Sequence, residues 1–262
     1  MKGTRLDLRL VADGLADSRA RAQALVLAGK VKVDGHRADK AGAAVAADAS
    51  VEVDADDGWA SRGAHKLLGA IAAFPDFAAA IATADCLDVG ASTGGFTDVL
   101  LRHGAARGSA LDVGYGQLHE RLRTDPRVTV IDRTNIRLLA PGALPFTPAI
   151  AVCDASFISV RLFLDVVFRE LAPGGLFLVL VKPQFEVGKG RVGKGGVVRD
   201  DADRRLALDE VTHAAVAVGF SARGHADSPL PGPAGNREWL LLLGKPAQAG
   251  PAVEAGEAGE DQ

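Results

Sequence analysis

From residue 59 onward, short apolar runs alternate with stretches in which apolar positions recur every three or four residues. Leu176-Phe177-Leu178-Val179-Leu180-Val181 has no polar alternation, as expected of a strand covered on both faces of a parallel sheet. The runs predict strands at 85–90, 108–113, 127–131, 148–153, 174–182, 219–226 and 237–244. Helices are predicted at 61–73, 95–103, 116–124, 159–171 and 200–217. That order predicts a doubly wound, Rossmann-like α/β domain with a seven-stranded sheet. Residues 228–236 are rich in proline and glycine and leave no room for a helix, so the last strand should pair antiparallel.

The first part of the chain has a different pattern. Two short amphipathic helices are predicted over 5–13 and 18–28, with Gly14 and Gly29 as stops and Asp17 or Ser18 as a cap. Val31-Lys32-Val33 and Val51-Glu52-Val53 read as small strands, the first followed by an Asp34-Gly35 turn. The expected organisation is a small αβ module over 1–56, a linker at 57–60 and the larger domain over 61–245. A tail at 246–262, rich in Ala, Gly, Pro and Glu, is expected to be disordered.

Composition narrows the class. With 48% apolar and 24% charged residues in 262, the chain can bury a core and is neither mainly disordered nor fibrous. No apolar stretch approaches the roughly 18 residues of a membrane-spanning helix. Charges at Lys2, Arg5 and Asp7 fall where a signal peptide needs its apolar run, so a cytoplasmic protein with no membrane partner is expected. Cys86 and Cys153 are too few for a disulfide framework, and the six histidines show no ligand spacing, so no metal is expected.

The net charge of −3 hides two basic zones. Residues 1–40 carry nine Lys/Arg, among them Arg5, Arg19, Arg21, Lys30 and Lys32, against five Asp. Residues 182–199 carry five, including Lys189, Arg191 and Lys194, against Glu186 alone. The loop 183–199 is also long for an α/β connection. A polyanionic partner is one reading, because the local field steers association; solvated faces are the other.

Asp88-Val89-Gly90-Ala91-Ser92-Thr93-Gly94-Gly95-Phe96-Thr97 follows a predicted strand and opens a helix. Such a loop lets backbone approach a nucleotide-type ligand, although a tight structural turn would use the same glycines. Asp112 and Asp132 end the next two strands, where carboxylates can hold ribose hydroxyls. Acids at three strand ends suit a ligand with a ribose, an amino group and an ammonium, as in S-adenosylmethionine, and suit a pyrophosphate poorly. Asp154 and Lys182 end the central strands, where open α/β sheets do chemistry. A lysine within an apolar run must be paired or functional, and a purely structural Lys182–Asp154 pair is the competing reading.

Further motifs carry a resemblance. Ser61-Arg62-Gly63-Ala64-His65-Lys66, the 88–97 loop, 112–118, 180–186 and Asn236-Arg237-Glu238-Trp239 together resemble the TlyA family, whose members often bear the name hemolysin. The resemblance spans about residues 4–245 and implies an S4-type RNA-binding module followed by an FtsJ-like methyltransferase domain. It implies an S-adenosylmethionine-dependent 2′-O-methyltransferase acting on ribosomal RNA, with cytidine as the target and ribosomal subunits as partners. The family's Lys-Asp-Lys-Glu tetrad falls on Lys66, Asp154, Lys182 and Glu238. Ala155 departs from the larger aliphatic common there, a matter of packing.

Methyl transfer from a sulfonium needs an alcohol held in line and relieved of its proton. As a base, Lys182 would need a lowered pKa, with Lys66 and burial pushing down while Asp154 and Glu238 push back. The expected roles are therefore Lys182 as base or hydroxyl-orienter, Asp154 as its partner, and Lys66 and Glu238 as orienting groups. Arg62 joins the expected RNA contacts. The cofactor set is Asp88, Gly90, Ser92, Gly94, Gly95, Phe96, Thr97, Asp112, Asp132 and Asp154. Competing functions are methylation of another substrate and a membrane-active hemolysin, against which the absence of a strongly amphipathic basic helix counts.

Overall fold

Leu6 and Leu10 share one face of a short helix, and with Ala22, Leu25, Val26, Val31 and Val45 they form a small core of their own. The computed structural model describes residues 3–54 and 57–247; the Lys189 side chain, linker residues 55–56 and most of the tail, 248–262, lie outside the described residues. The N-terminal module runs β1 (Thr4–Arg5), α1 (Leu6–Ala12), α2 (Arg19–Leu27), β2 (Val31–Val33), β3 (His36–Arg37), β4 (Ala44–Val45) and β5 (Val51–Val53). The Ser18 side chain accepts from the Arg21 amide at 3.1 Å and so caps α2. β2 is the centre of an antiparallel three-stranded sheet, and β1 pairs with β4 apart from it.

Asp57–Ala60 lead into the larger domain. It contains α3 (Gly63–Ala73), α4 (Pro75–Ile81), β6 (Asp85–Val89), α5 (Gly95–Arg102), β7 (Arg107–Leu111), α6 (Glu120–Arg123) and β8 (Val128–Ile131). It continues with β9 (Ile150–Cys153), α7 (Leu164–Glu170), β10 (Leu176–Val181), α8 (Pro183–Glu186), α9 (Asp201–Val218), β11 (Ser221–Asp227) and β12 (Trp239–Gly244). Seven strands form one sheet in the order β11-β12-β10-β9-β6-β7-β8. The five strands β6 to β10 run parallel, and β12 lies antiparallel between β10 and β11.

Strand residues feed two apolar layers in turn. Phe177, Val179 and Val181 pack with Phe163, Val167 and Leu208 on one face; Leu178 and Leu180 pack with Leu67, Phe77 and Val99 on the other. Cys86 on β6 and Cys153 on β9 are both buried, and burial pushes each thiol up to about 12. Among the described residues no single helix is long and apolar enough to cross a membrane.

The helices depart from the predicted spans in three places. The helix expected over 116–124 is reduced to α6, because a chain of turns through Gly114 and Gly116 occupies its first half. The stretch 159–171 is split, with a 3₁₀ turn at Val160–Leu162 before α7. α4 is an addition: Pro75 sits in its first turn, where its missing N–H costs nothing.

Candidate active site

The antiparallel register of β10 and β12 sets Val181 opposite Trp239, so Lys182 and Glu238 are the next residues on neighbouring chains. The parallel register sets Cys153 beside both Val89 and Val179, which brings Asp154 to the same sheet edge. Lys66 arrives from the first turns of α3. Four residues scattered over 172 positions of sequence separation thus meet in one place.

They form two linked ion pairs. Lys66 Nζ donates to Glu238 Oε2 at 2.6 Å and lies 3.5 Å from Asp154 Oδ1. Lys182 Nζ lies 2.7 Å from the same Asp154 oxygen and also donates to the Asp154 carbonyl at 3.1 Å and to Ser156 Oγ at 2.8 Å. Lys66, Lys182 and Glu238 are 4%, 5% and 1% exposed. Asp154 is the member of the set with an accessible side chain.

Burial alone would push the Lys182 ammonium down, but Asp154 and Glu238 outweigh it and hold its pKa above the ordinary lysine value. This corrects the expectation of a lowered pKa. The Lys66 ammonium, expected to repel, is itself neutralised by Glu238. Burial likewise pushes Asp154 up, and Lys182 with Lys66 more than reverses it, leaving the carboxyl below its usual range.

Lys66, Asp154 and Lys182 line a cleft of about 230 Å³ together with Asp88, Gly90, Ser92 and Phe96 from the glycine-rich loop, with Glu238 buried behind Lys66. Gly90 has φ +77°, and a Cβ there would stand 2.9 Å from the Ala155 backbone, so the loop can fold over the end of β9 only as glycine. Asp88 Oδ2 accepts from the Thr97 amide at 2.9 Å and hydroxyl at 2.7 Å, tying the strand to α5. Its Oδ1 is buried without a hydrogen-bond partner among the described residues. A cradle of backbone with one unsatisfied buried carboxylate oxygen suits a cationic nucleoside ligand.

Asp112 and Asp132, the expected ribose-holding carboxylates, accept from backbone amides beyond the ends of β7 and β8. Asp112 accepts from the Ser92 amide at 2.8 Å and the Gly114 amide at 2.7 Å, and neither aspartate lines the cleft. Asp132 accepts from Gly116 at 3.0 Å and lies 3.5 Å from Arg123. Gly94 and Thr97 also stand behind the loop rather than in the cleft wall.

The N-terminal cations divide as well. Arg5 and Arg19 both bind the buried Asp7, at 2.8 and 2.9 Å, and hold that carboxyl far below its ordinary range, Arg5 being the largest influence. Lys32 pairs with Asp54 at 2.6 Å, and Lys30 donates to Asp57 at 3.2 Å and to the Trp59 carbonyl at 3.1 Å. Arg21 is exposed and has no ion pair among the described residues. In the 183–199 loop, Glu186 is buried and accepts from Ser159 Oγ and the Val160 amide, and Asn236 bridges Gly196 and Val198. Arg191 pairs with Asp203 at 2.6 Å, and Lys194 is exposed. The loop is therefore pinned at both ends.

Two residues had no signal in the sequence. Ser156 completes the Lys182 shell, and Phe157 stands 92% exposed at φ +67° with its ring 5.6 Å from that of Phe185. A serine and a phenylalanine after a strand are unremarkable until the backbone turns them outward.

The buried Asp88 has its pKa raised to about 7, by burial first, against the opposing Thr97 hydrogen bonds. An acid raised in the folded state contributes stability below its unfolded pKa of about 3.9 and loses it as pH rises through the folded value. The melting temperature is therefore expected to decline between about pH 4 and 7, and Asp88→Asn to flatten that decline. Thermal melts across pH check it; identical slopes in both chains would refute it.

Comparison with known proteins agrees with this architecture. The FtsJ-like methyltransferase family matches residues 59–245, and the S4 domain family matches residues 4–51. The 16S/23S rRNA (cytidine-2′-O)-methyltransferase TlyA of Mycobacterium tuberculosis is 49% identical over 241 residues, covering 91% of this chain and 89% of that protein. A solved hemolysin-named protein from Streptococcus thermophilus superposes with TM-score 0.72 at 38% identity, covering 94% and 90% of the two chains. An S-adenosylmethionine-dependent methyltransferase from Mesorhizobium loti shares the fold, with TM-score 0.52 at 16% identity over 70% of this chain and 99% of its own. With both family models matched along its length and 49% identity over 91% of its residues, this chain belongs to the TlyA family of FtsJ-like methyltransferases.

Proposed function

We propose that this chain transfers the methyl group of S-adenosylmethionine to the 2′-hydroxyl of a cytidine in ribosomal RNA, acting on ribosomal subunits in the cytoplasm. The observation that supports it most is the pair of buried Lys–carboxylate contacts, Lys66–Glu238 and Lys182–Asp154, set in the same cleft as the glycine-rich loop. The relative from Mycobacterium tuberculosis supplies the substrate by its name.

When bound, S-adenosylmethionine supplies an electrophilic methyl for in-line displacement. Asp88, Gly90, Ser92 and Phe96 would hold it, with Asp112 fixing the loop from behind through the Ser92 amide. Lys182 works as an ammonium. Its N–H groups donate to the Asp154 carbonyl and Ser156 Oγ, with the charge of Asp154 Oδ1 2.7 Å away, and the neutral serine is the partner a ribose hydroxyl can replace. From there Lys182 orients the 2′-oxygen and stabilises negative charge on it. As the oxygen bonds to the methyl carbon, its proton passes to the Asp154 carboxylate, and Lys182 offsets the negative charge left on the oxygen as that proton leaves. Lys66 and Glu238 hold Asp154 in register. Phe157 offers an exposed ring for the target base, since stacking on an aromatic contributes roughly 1–3 kcal/mol. Arg21, Arg62 and Lys194 are the proposed backbone contacts, with Arg5, Arg19 and Lys32 reaching phosphates only from positions their aspartates fix.

Incubation with labelled S-adenosylmethionine and ribosomal subunits, followed by digestion to nucleosides, tests this. The expected label is in 2′-O-methylcytidine. Label on a base nitrogen, or none in rRNA while a small molecule is methylated, would overturn the proposal.

A further inference from the structure

The cleft that holds Lys66, Asp154 and Lys182 has a wall from the N-terminal module, built of Leu27–Gly29 at the C-terminal end of α2 and Arg37–Asp39 at the end of β3. Two guanidiniums converge there, one from each module. A Cβ on Gly29, whose φ is +70°, would stand 2.7 Å from Arg62 Cδ and 3.6 Å from Arg37 Nη1. Only a residue without a side chain leaves that space open.

Neither guanidinium is fully engaged. Arg37 Nη2 donates to Asp54 Oδ2 at 3.3 Å, while Nη1 is buried with no hydrogen-bond partner among the described residues. Arg62 Nη2 donates to a neutral acceptor, the Pro231 carbonyl, at 2.5 Å. Burial, and then the neighbouring charge of Arg37, push the Arg62 guanidinium down, while Glu238 and Asp154 pull the other way. The carboxylate on this wall, Asp39, is exposed to solvent. Two like charges held together beside an unsatisfied buried donor form an arrangement that an anion completes.

We infer that Arg37 and Arg62 form a phosphodiester subsite that grips the RNA phosphate adjoining the target ribose, with one guanidinium supplied by each module. The inference rests on the rRNA methyltransferase reading above and deepens it: the N-terminal module finishes the catalytic cleft as well as binding RNA. A phosphate held there places its ribose against Lys182, so losing Arg37 harms positioning beyond affinity.

The test uses the full chain with S-adenosylmethionine and ribosomal subunits lacking the modification, with subunit binding followed across salt concentrations. Arg37→Ala is expected to lower kcat/KM about ten- to hundredfold, the worth of one charge-assisted pair. It should flatten the log–log salt slope by about 0.7–0.9, one phosphate's share. S-adenosylmethionine affinity, read by calorimetry, should stay within about twofold, since no loop contact changes. Arg37→Lys should keep the slope and recover only part of kcat/KM, because a point charge cannot reproduce the fork. An unchanged slope in Arg37→Ala overturns the subsite. Wild-type chain that methylates no subunit overturns the underlying reading instead, so the two failures are told apart.

Discussion

A Lys182→Ala chain is expected to methylate ribosomal subunits about a thousandfold more slowly than wild type while binding S-adenosylmethionine almost as well. One preorganised donor to a developing oxyanion contributes about a hundred- to a thousandfold, and Lys182 also aligns Asp154 at 2.7 Å. Lys182→Arg should not rescue, because a planar fork does not fit three acceptors arranged around one ammonium. The pH profile of kcat separates the two roles a lysine could play. A charged Lys182, held above its ordinary pKa by Asp154 and Glu238, predicts a rate that stays level through neutral pH and falls only in the alkaline range. A free-amine base would instead give a rate that climbs with pH towards that range. Activity comparable to wild type in the alanine variant would remove Lys182 from the mechanism altogether.

The second large effect falls on stability as well as turnover. Glu238→Ala leaves the buried Lys66 ammonium with only Asp154 at 3.5 Å, an oxygen already shared with Lys182. Removing one partner of a buried pair costs about 3–5 kcal/mol, so a large drop in denaturation midpoint is expected. Replacing both residues, as in Lys66→Met with Glu238→Leu, takes away both charges and should recover most of the midpoint. Methyl transfer should stay lost in the double variant, because Asp154 no longer has its second cation. Chemical denaturation with parallel methylation assays checks both statements. A double variant that is folded and active would reduce the Lys66–Glu238 pair to a structural brace.

The strands were legible because both faces of the sheet are covered: uninterrupted runs such as 176–181 cannot be mistaken for amphipathic surface. The antiparallel β12 followed from the lack of helix-forming residues over 228–236, and that same reversal carries Glu238 to the tetrad. Its position near a strand start said little until the Val181–Trp239 register was known. Local patterns failed where tertiary contacts decide. β1 and β4 are two-residue strands paired across 40 positions, too short for any periodicity. Asp112 and Asp132 stand at strand ends as expected, yet backbone amides claim their oxygens, a competition no spacing reveals. The pKa of Lys182 escapes the sequence for a related reason: residue type names its neighbours, but the pairing of Lys66 with Glu238 decides which charge it feels.

Cys86 and Cys153 sit on adjacent central strands with thiols pushed up to about 12, out of reach of oxidants and alkylating reagents in the folded sheet. The two sulfurs also serve as a native clock. A thiol reagent can reach them only when the layers covering the two faces of the sheet open, Cys153 lying in one and Cys86 in the other, so the rates of their modification read those openings separately. With no other cysteine in the chain, that reading comes without an introduced probe.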